Sequence, residues 1–125
     1  LANIGKIFEN ELKDSMPDYV ICVRLPDAAQ SFGGSMKTRF SRKSPFDFIF
    51  WDSENRVIYS VEAKTVKGKS ISFERYKGDK QREIHYHQIE ALREWQKYKG
   101  VVSGFIISFR QIEKTIFLPI NEFDT

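Results

Sequence analysis

The chain is poor in the residues that staple or ligate. It has 125 residues and one cysteine, Cys22, so no internal disulfide can form, and neither Cys nor His recurs at zinc-finger spacing. Its two histidines, His85 and His87, flank Tyr86; a His-x-His pair on a helix diverges, which argues against a zinc site there. No apolar run approaches the length of a membrane span, and no signal-peptide pattern opens the chain. Cys22 lies in the apolar run Tyr19–Val23 and reads as a buried structural thiol, which suits a reducing cytoplasm, bacterial or phage-infected. Nor does one sign of charge dominate: the net charge is only +3. The chain opens on Leu and closes on a segment, 119–125, that looks like a helix just starting, so both ends read as trimmed.

Aromatic bulk, by contrast, is plentiful: 11 Phe, 5 Tyr and 2 Trp can fill one core, and the length suits one domain spanning 1–125. Ile4, Ile7, Phe8 and Leu12 recur at helical spacing, and Pro17 ends that helix. Tyr19–Leu25 reads as a strand. Residues 26–45, with Gly33-Gly34, several Ser and four cations, read as a mobile basic loop. Phe46–Trp51 and Arg56–Lys64 read as strands joined by a tight turn, hence an antiparallel hairpin. A second polar loop follows. A long helix is expected over Asp79–Lys99, with Ile84, Ala91, Leu92 and Trp95 on its stripe and Gly100 as its stop. Val101–Arg110 is a nearly all-apolar strand, and Thr115–Leu118 a last one. The expected class is α/β: a mixed central sheet of about five strands flanked by helices.

Glu62-Ala63-Lys64 ends the third of these strands. A strand puts positions i and i+2 on one face, so Glu62 and Lys64 point the same way. Such a pair at the end of a buried strand needs an outlet: solvent, a mutual ion pair, or a metal site. The same pattern occurs at Glu11-Leu12-Lys13, but on a helix those two side chains diverge by about 200°. Asp47 is one acid inside the aromatic run Phe46–Trp51, and an unpaired buried carboxylate costs several kcal/mol. The hairpin can bring it to Glu62. Two carboxylates and the Ala63 carbonyl would make a hard oxygen site suited to Mg²⁺. Gln88 falls on the helix's apolar stripe, four residues from both Ile84 and Leu92, and needs a partner: a phosphate, a water or Lys64. On the first helix, Glu9 flanks the apolar face and Glu11 projects nearer its middle; periodicity does not choose between them. The cations Lys37, Arg39, Arg42 and Lys43 in the first loop, and Lys67, Lys69, Arg75 and Lys77 in the second, flank this site and could contact phosphates. Phe40 and Phe73 in the same loops are either core anchors or wedges against bases.

In order, Gly5-Lys6-Ile7-Phe8-Glu9, Pro45-Phe46-Asp47, Glu62-Ala63-Lys64, His87-Gln88 and Gly104-Phe105-Ile106-Ile107 resemble the RecU-type Holliday junction resolvases. These belong to the PD-(D/E)xK nuclease superfamily, whose fold is restriction-endonuclease-like. The resemblance implies a homodimer that binds branched DNA at a four-way junction and nicks two opposing strands with Mg²⁺, or Mn²⁺ in its place. By position, it makes Asp47 and Glu62 metal ligands, Lys64 the catalytic lysine and Gln88 the active-site glutamine. It also favours Glu9 over Glu11 as the helix acid, a further metal position. The stretch from Arg24 to Asp47 is short for the family's projecting stalk, which suits a phage or minimal version. The alternatives are another DNA nuclease on this scaffold, restriction-like or repair, or a non-catalytic DNA-binding protein.

Overall fold

A computed structural model describes residues 3–26 and 44–124. Helix α1 spans Ile4–Ser15, as the spacing predicts. Asn3 caps it, its side chain accepting the Lys6 N–H at 3.0 Å. Phe8 and Leu12 are buried, whereas Ile4 and Ile7 stay largely exposed, so the apolar stripe in use is narrower than the sequence suggests.

Strands β1 (Val20–Arg24), β2 (Phe48–Asp52) and β3 (Val57–Val66) form an antiparallel meander. At its hairpin, Asp52 accepts the backbone N–H groups of Glu54 and Asn55, and these bonds with the Asn55 side chain hold its carboxyl below the usual range. Helix α2 (Tyr86–Gln96) then crosses over to β4 (Val101–Phe109), which pairs parallel to β3. Strand β5 (Lys114–Pro119) closes the far edge antiparallel to β4, and a short 3-10 turn, Ile120–Asp124, follows where a helix start was expected. The sheet is therefore mixed and five-stranded, ordered β1-β2-β3-β4-β5, and the class is α/β as expected.

Side-chain alternation divides the core between the two faces. Phe48, Phe50 and Val61 pack with Phe8 and Leu12 under α1. Phe105, Ile107, Phe109 and Val66 pack with Ile84, Ile89 and Leu92 under α2. Phe73 belongs to this second core, edge-on to Phe123 at 4.7 Å, which resolves it as an anchor rather than a wedge. Between β3 and β4, the buried hydroxyls of Ser60 and Ser103 satisfy one another.

Helix α2 is shorter than expected, starting at Tyr86 rather than Asp79. Glu74 accounts for this. Its carboxylate accepts the Arg82 and Tyr86 N–H groups at 3.1 and 3.0 Å and meets the His85 ring nitrogen at 2.8 Å. Ile84 bridges to Phe73 in strand fashion, its N–H reaching the Ser72 carbonyl and its carbonyl accepting the Glu74 N–H. Arg82, Glu83 and Ile84 thus spend their N–H groups on the segment around Ser72 and Glu74, and Ile84 reaches the core without belonging to the helix. Among the described residues, no helix is long and apolar enough to cross a membrane.

The first basic loop, with Phe40, Lys37, Arg39, Arg42 and Lys43, lies outside the described residues. The flanking Ser44 hydroxyl donates to the Pro26 carbonyl, so the chain leaves and re-enters the framework at adjacent points.

Candidate active site

Strand parity sets the geometry. Ile58 directs its N–H at β4, reaching the Gly100 carbonyl, so the even positions of β3 face that neighbour with their backbone and the odd ones face β2. Accordingly Val61 accepts the Asp47 N–H at 3.1 Å, although regular β2 begins only at Phe48. Two residues on, the Ala63 N–H finds no β2 backbone opposite and donates to the Asp47 carboxylate, Oδ2, at 2.9 Å. The Ala63 carbonyl is turned to that same side, because N–H and C=O of one strand residue share a direction.

Side chains follow the other alternation. Glu62 and Lys64 share the α2 face with Val66, and Asp47 shares it with Ile49. The carboxyls of Asp47 and Glu62 hydrogen-bond to each other. Lys64 Nζ stands 3.9 Å from Glu62 Oε2. From α2, the Gln88 side-chain amide donates to Glu62 Oε2 at 3.0 Å, while its carbonyl accepts the His85 N–H at 2.9 Å. Gln88 thus closes the start of α2 with one end and fixes Glu62 with the other; its partner is Glu62 rather than Lys64. Asp47, Glu62, Lys64 and Gln88, picked out separately along the chain, therefore meet at one end of the β2–β3 hairpin.

Glu62 is only 8% exposed. Burial, and then the negative charge of Asp47, push its carboxyl up to about 8, against a smaller opposing pull from Lys64. Burial also raises Asp47, opposed by the Ala63 N–H and by Arg24. Burial and mutual repulsion thus both oppose full ionisation of this carboxyl pair.

Arg24 was not singled out in the sequence. Its Nε meets Glu9 Oε1 at 2.9 Å and one terminal nitrogen meets Glu9 Oε2 at 3.3 Å, a bidentate pair. The same terminal nitrogen lies 3.5 Å from Asp47 Oδ1. The other donates to the Leu25 carbonyl and, at 3.5 Å, to that of Asp47. The guanidinium also lies over the Phe48 ring, 5.6 Å from its centroid. Its sequence signal is the one that marked Asp47: a single charge inside an apolar run. Glu9 joins the site through Arg24, whereas Glu11 is exposed, which separates the two helix acids. Among the described residues, no three His, Cys, Asp or Glu side chains converge in metal-holding geometry.

Lys67, Lys69, Arg75 and Lys77 are exposed on the second loop, Arg75 resting over the Phe73 ring. Glu74 is half-buried under the start of α2, and its hydrogen bonds to His85, Tyr86 and Arg82 hold its carboxyl down to about 2. The His85 and His87 rings stack at 5.6 Å.

No family model matches the chain, and no solved structure matches it. It is 32% identical over 129 aligned positions to the SPbeta prophage-derived uncharacterized protein YotM of Bacillus subtilis (strain 168). That match takes in 98% of this chain and 59% of the relative, so the chain spans less than two thirds of the length of the protein it resembles.

Proposed function

We propose that the protein is a Mg²⁺-dependent endodeoxyribonuclease that resolves four-way DNA junctions by paired nicks in opposing strands, working as a homodimer. The observation that carries the catalytic part is the buried Asp47–Glu62 carboxyl pair with Lys64 beside it and Gln88 fixing it. A structural ion pair would not need a second acid buried against the first. A divalent cation fits the donors: two neighbouring carboxyls, with the Ala63 carbonyl turned to the Asp47 side, make a hard oxygen set that phosphate and water complete.

Asp47, Glu62 and the Ala63 carbonyl would hold Mg²⁺, or Mn²⁺ in its place. When bound, the ion supplies Lewis-acid polarisation of the scissile phosphate and acidifies the attacking water. Lys64 places a positive charge at the same end of the strand, where it offsets negative charge building on the phosphate oxygens. Gln88 keeps the Glu62 carboxyl in one orientation. Lys67, Lys69, Arg75 and Lys77, with Lys37, Arg39, Arg42 and Lys43 of the first loop, supply phosphate contacts.

The junction substrate and the twofold assembly rest on the ordered resemblance from Gly5 to Leu118, and a prophage-derived relative agrees with a phage-type resolvase. Nicking of a labelled four-way junction and of a matching linear duplex, with Mg²⁺ and with chelator, tests the reading. Mg²⁺-dependent paired nicks in the junction are expected, lost in Glu62→Gln and Asp47→Asn while DNA binding survives. Equal cutting of the duplex would indicate a restriction-like or repair nuclease, and binding without cutting a non-catalytic DNA-binding protein.

A further inference from the structure

We propose that Arg24 is a built-in cation of this site, taking the place that a second metal ion would need, so that the site accepts one divalent cation per chain and Glu9 serves to position Arg24. The inference rests on the metal-dependent reading above and goes beyond it in assigning Arg24 and the ion count.

Geometry comes first. Both oxygens of Glu9 are engaged by Arg24, at 2.9 and 3.3 Å. One oxygen of Asp47 faces the same guanidinium at 3.5 Å, and the other accepts the Ala63 N–H at 2.9 Å. An ion between Glu9 and Asp47 would have to displace a guanidinium that is held bidentately and rests on Phe48. Among the described residues, the Asp47–Glu62 side carries no such fixed cation apart from Lys64, 3.9 Å off.

Charge agrees. Among the described residues, the cluster has three carboxyls, on Glu9, Asp47 and Glu62, and two fixed cations, Arg24 and Lys64. With every group ionised the cluster carries one negative charge. One divalent ion turns this into one positive charge, which a single phosphodiester neutralises. A second ion would leave three positive charges on groups whose side chains are less than a quarter exposed, a costly excess.

Mn²⁺ binding to the DNA-free protein, counted by electron paramagnetic resonance and by calorimetry, tests this without any cleavage assay. One Mn²⁺ per chain is expected. Glu9→Gln should keep that ion with affinity lowered by roughly 10–100-fold, as for a residue outside the ligand shell. Asp47→Asn should lose it. Arg24→Met should open the Glu9–Asp47 side and raise the count to two, a gain that loss of a merely structural arginine would not produce. Two ions on the parent, loss of the ion in Glu9→Gln, or a count still at one in folded Arg24→Met would each overturn the proposal. Should Arg24→Met fail to fold by circular dichroism, the parent and Glu9→Gln counts decide. A parent that binds no Mn²⁺ would overturn the metal-dependent reading itself, an outcome distinct from a count of two.

Discussion

At the scale of single residues, Glu62 carries a cost that can be measured. Its carboxyl is raised from an ordinary 4.5 to about 8, first by burial and then by Asp47. Between those values the folded chain keeps a proton that the unfolded chain releases, so folding stability falls as pH rises. The favourable contribution is present in full below about 4.5 and lost as pH rises through about 8. Gln at this position keeps the shape and hydrogen-bonding of the protonated acid without the proton. Glu62→Gln is therefore expected to match the parent at pH 4 and to exceed it at pH 8 by roughly 1–3 kcal/mol. Urea unfolding at the two pH values checks this; a variant no more stable than the parent at pH 8 would count against a protonated buried Glu62. Together with lost cleavage, the gain would mark Glu62 as a residue kept for chemistry at the expense of stability.

At the scale of elements, β4 and β5 meet tightly at Gly104. A Cβ there would lie 2.5 Å from the Leu118 carbonyl oxygen and 2.7 Å from the Phe117 ring. The first obstacle is backbone and cannot turn aside. Gly104→Ala should therefore destabilise the protein by about 2–3 kcal/mol, seen as a lower thermal midpoint; an unchanged midpoint would mean that β5 yields easily. Much at this scale was legible in the sequence. Strand alternation placed Glu62 and Lys64 on one face, and the short turn placed Asp47 opposite them. The start of α2 was not, because Ile84 and Gln88 sit four apart whether or not a helix joins them. What ends the helix early is Glu74, whose partners Arg82, His85 and Tyr86 lie 8 to 12 positions further on. Arg24 was missed for a related reason: its partners Glu9 and Asp47 lie 15 and 23 positions away, beyond any local pattern.

For the whole molecule, basic residues on the second loop stand on the surface. If they hold DNA by its phosphates, affinity for a four-way junction should fall steeply and linearly on a log–log plot against salt. Replacing Lys67 and Lys69 with Gln should lower that slope by roughly 1–2, since each phosphate contact contributes about 0.9. A slope unchanged in the double variant would remove these two lysines from the interface, and a flat response would remove the phosphate mode of binding.

The parallel β3–β4 ladder also says something about when the site comes into being. It joins positions such as Ser60 and Ser103, 43 apart, whereas the β2–β3 pairing closes across one short turn. Loop closure makes the hairpin the early structure and the crossover the late one. Asp47 and Glu62 can therefore come near each other in a nascent chain, but burial of Glu62 and its bond to Gln88 wait for α2 to dock. A half-folded chain holds the acids in water, where each ionises at its ordinary value and neither is oriented. Maturation of the site is in this way tied to completion of the fold, and the partly made protein holds its four residues without their arrangement.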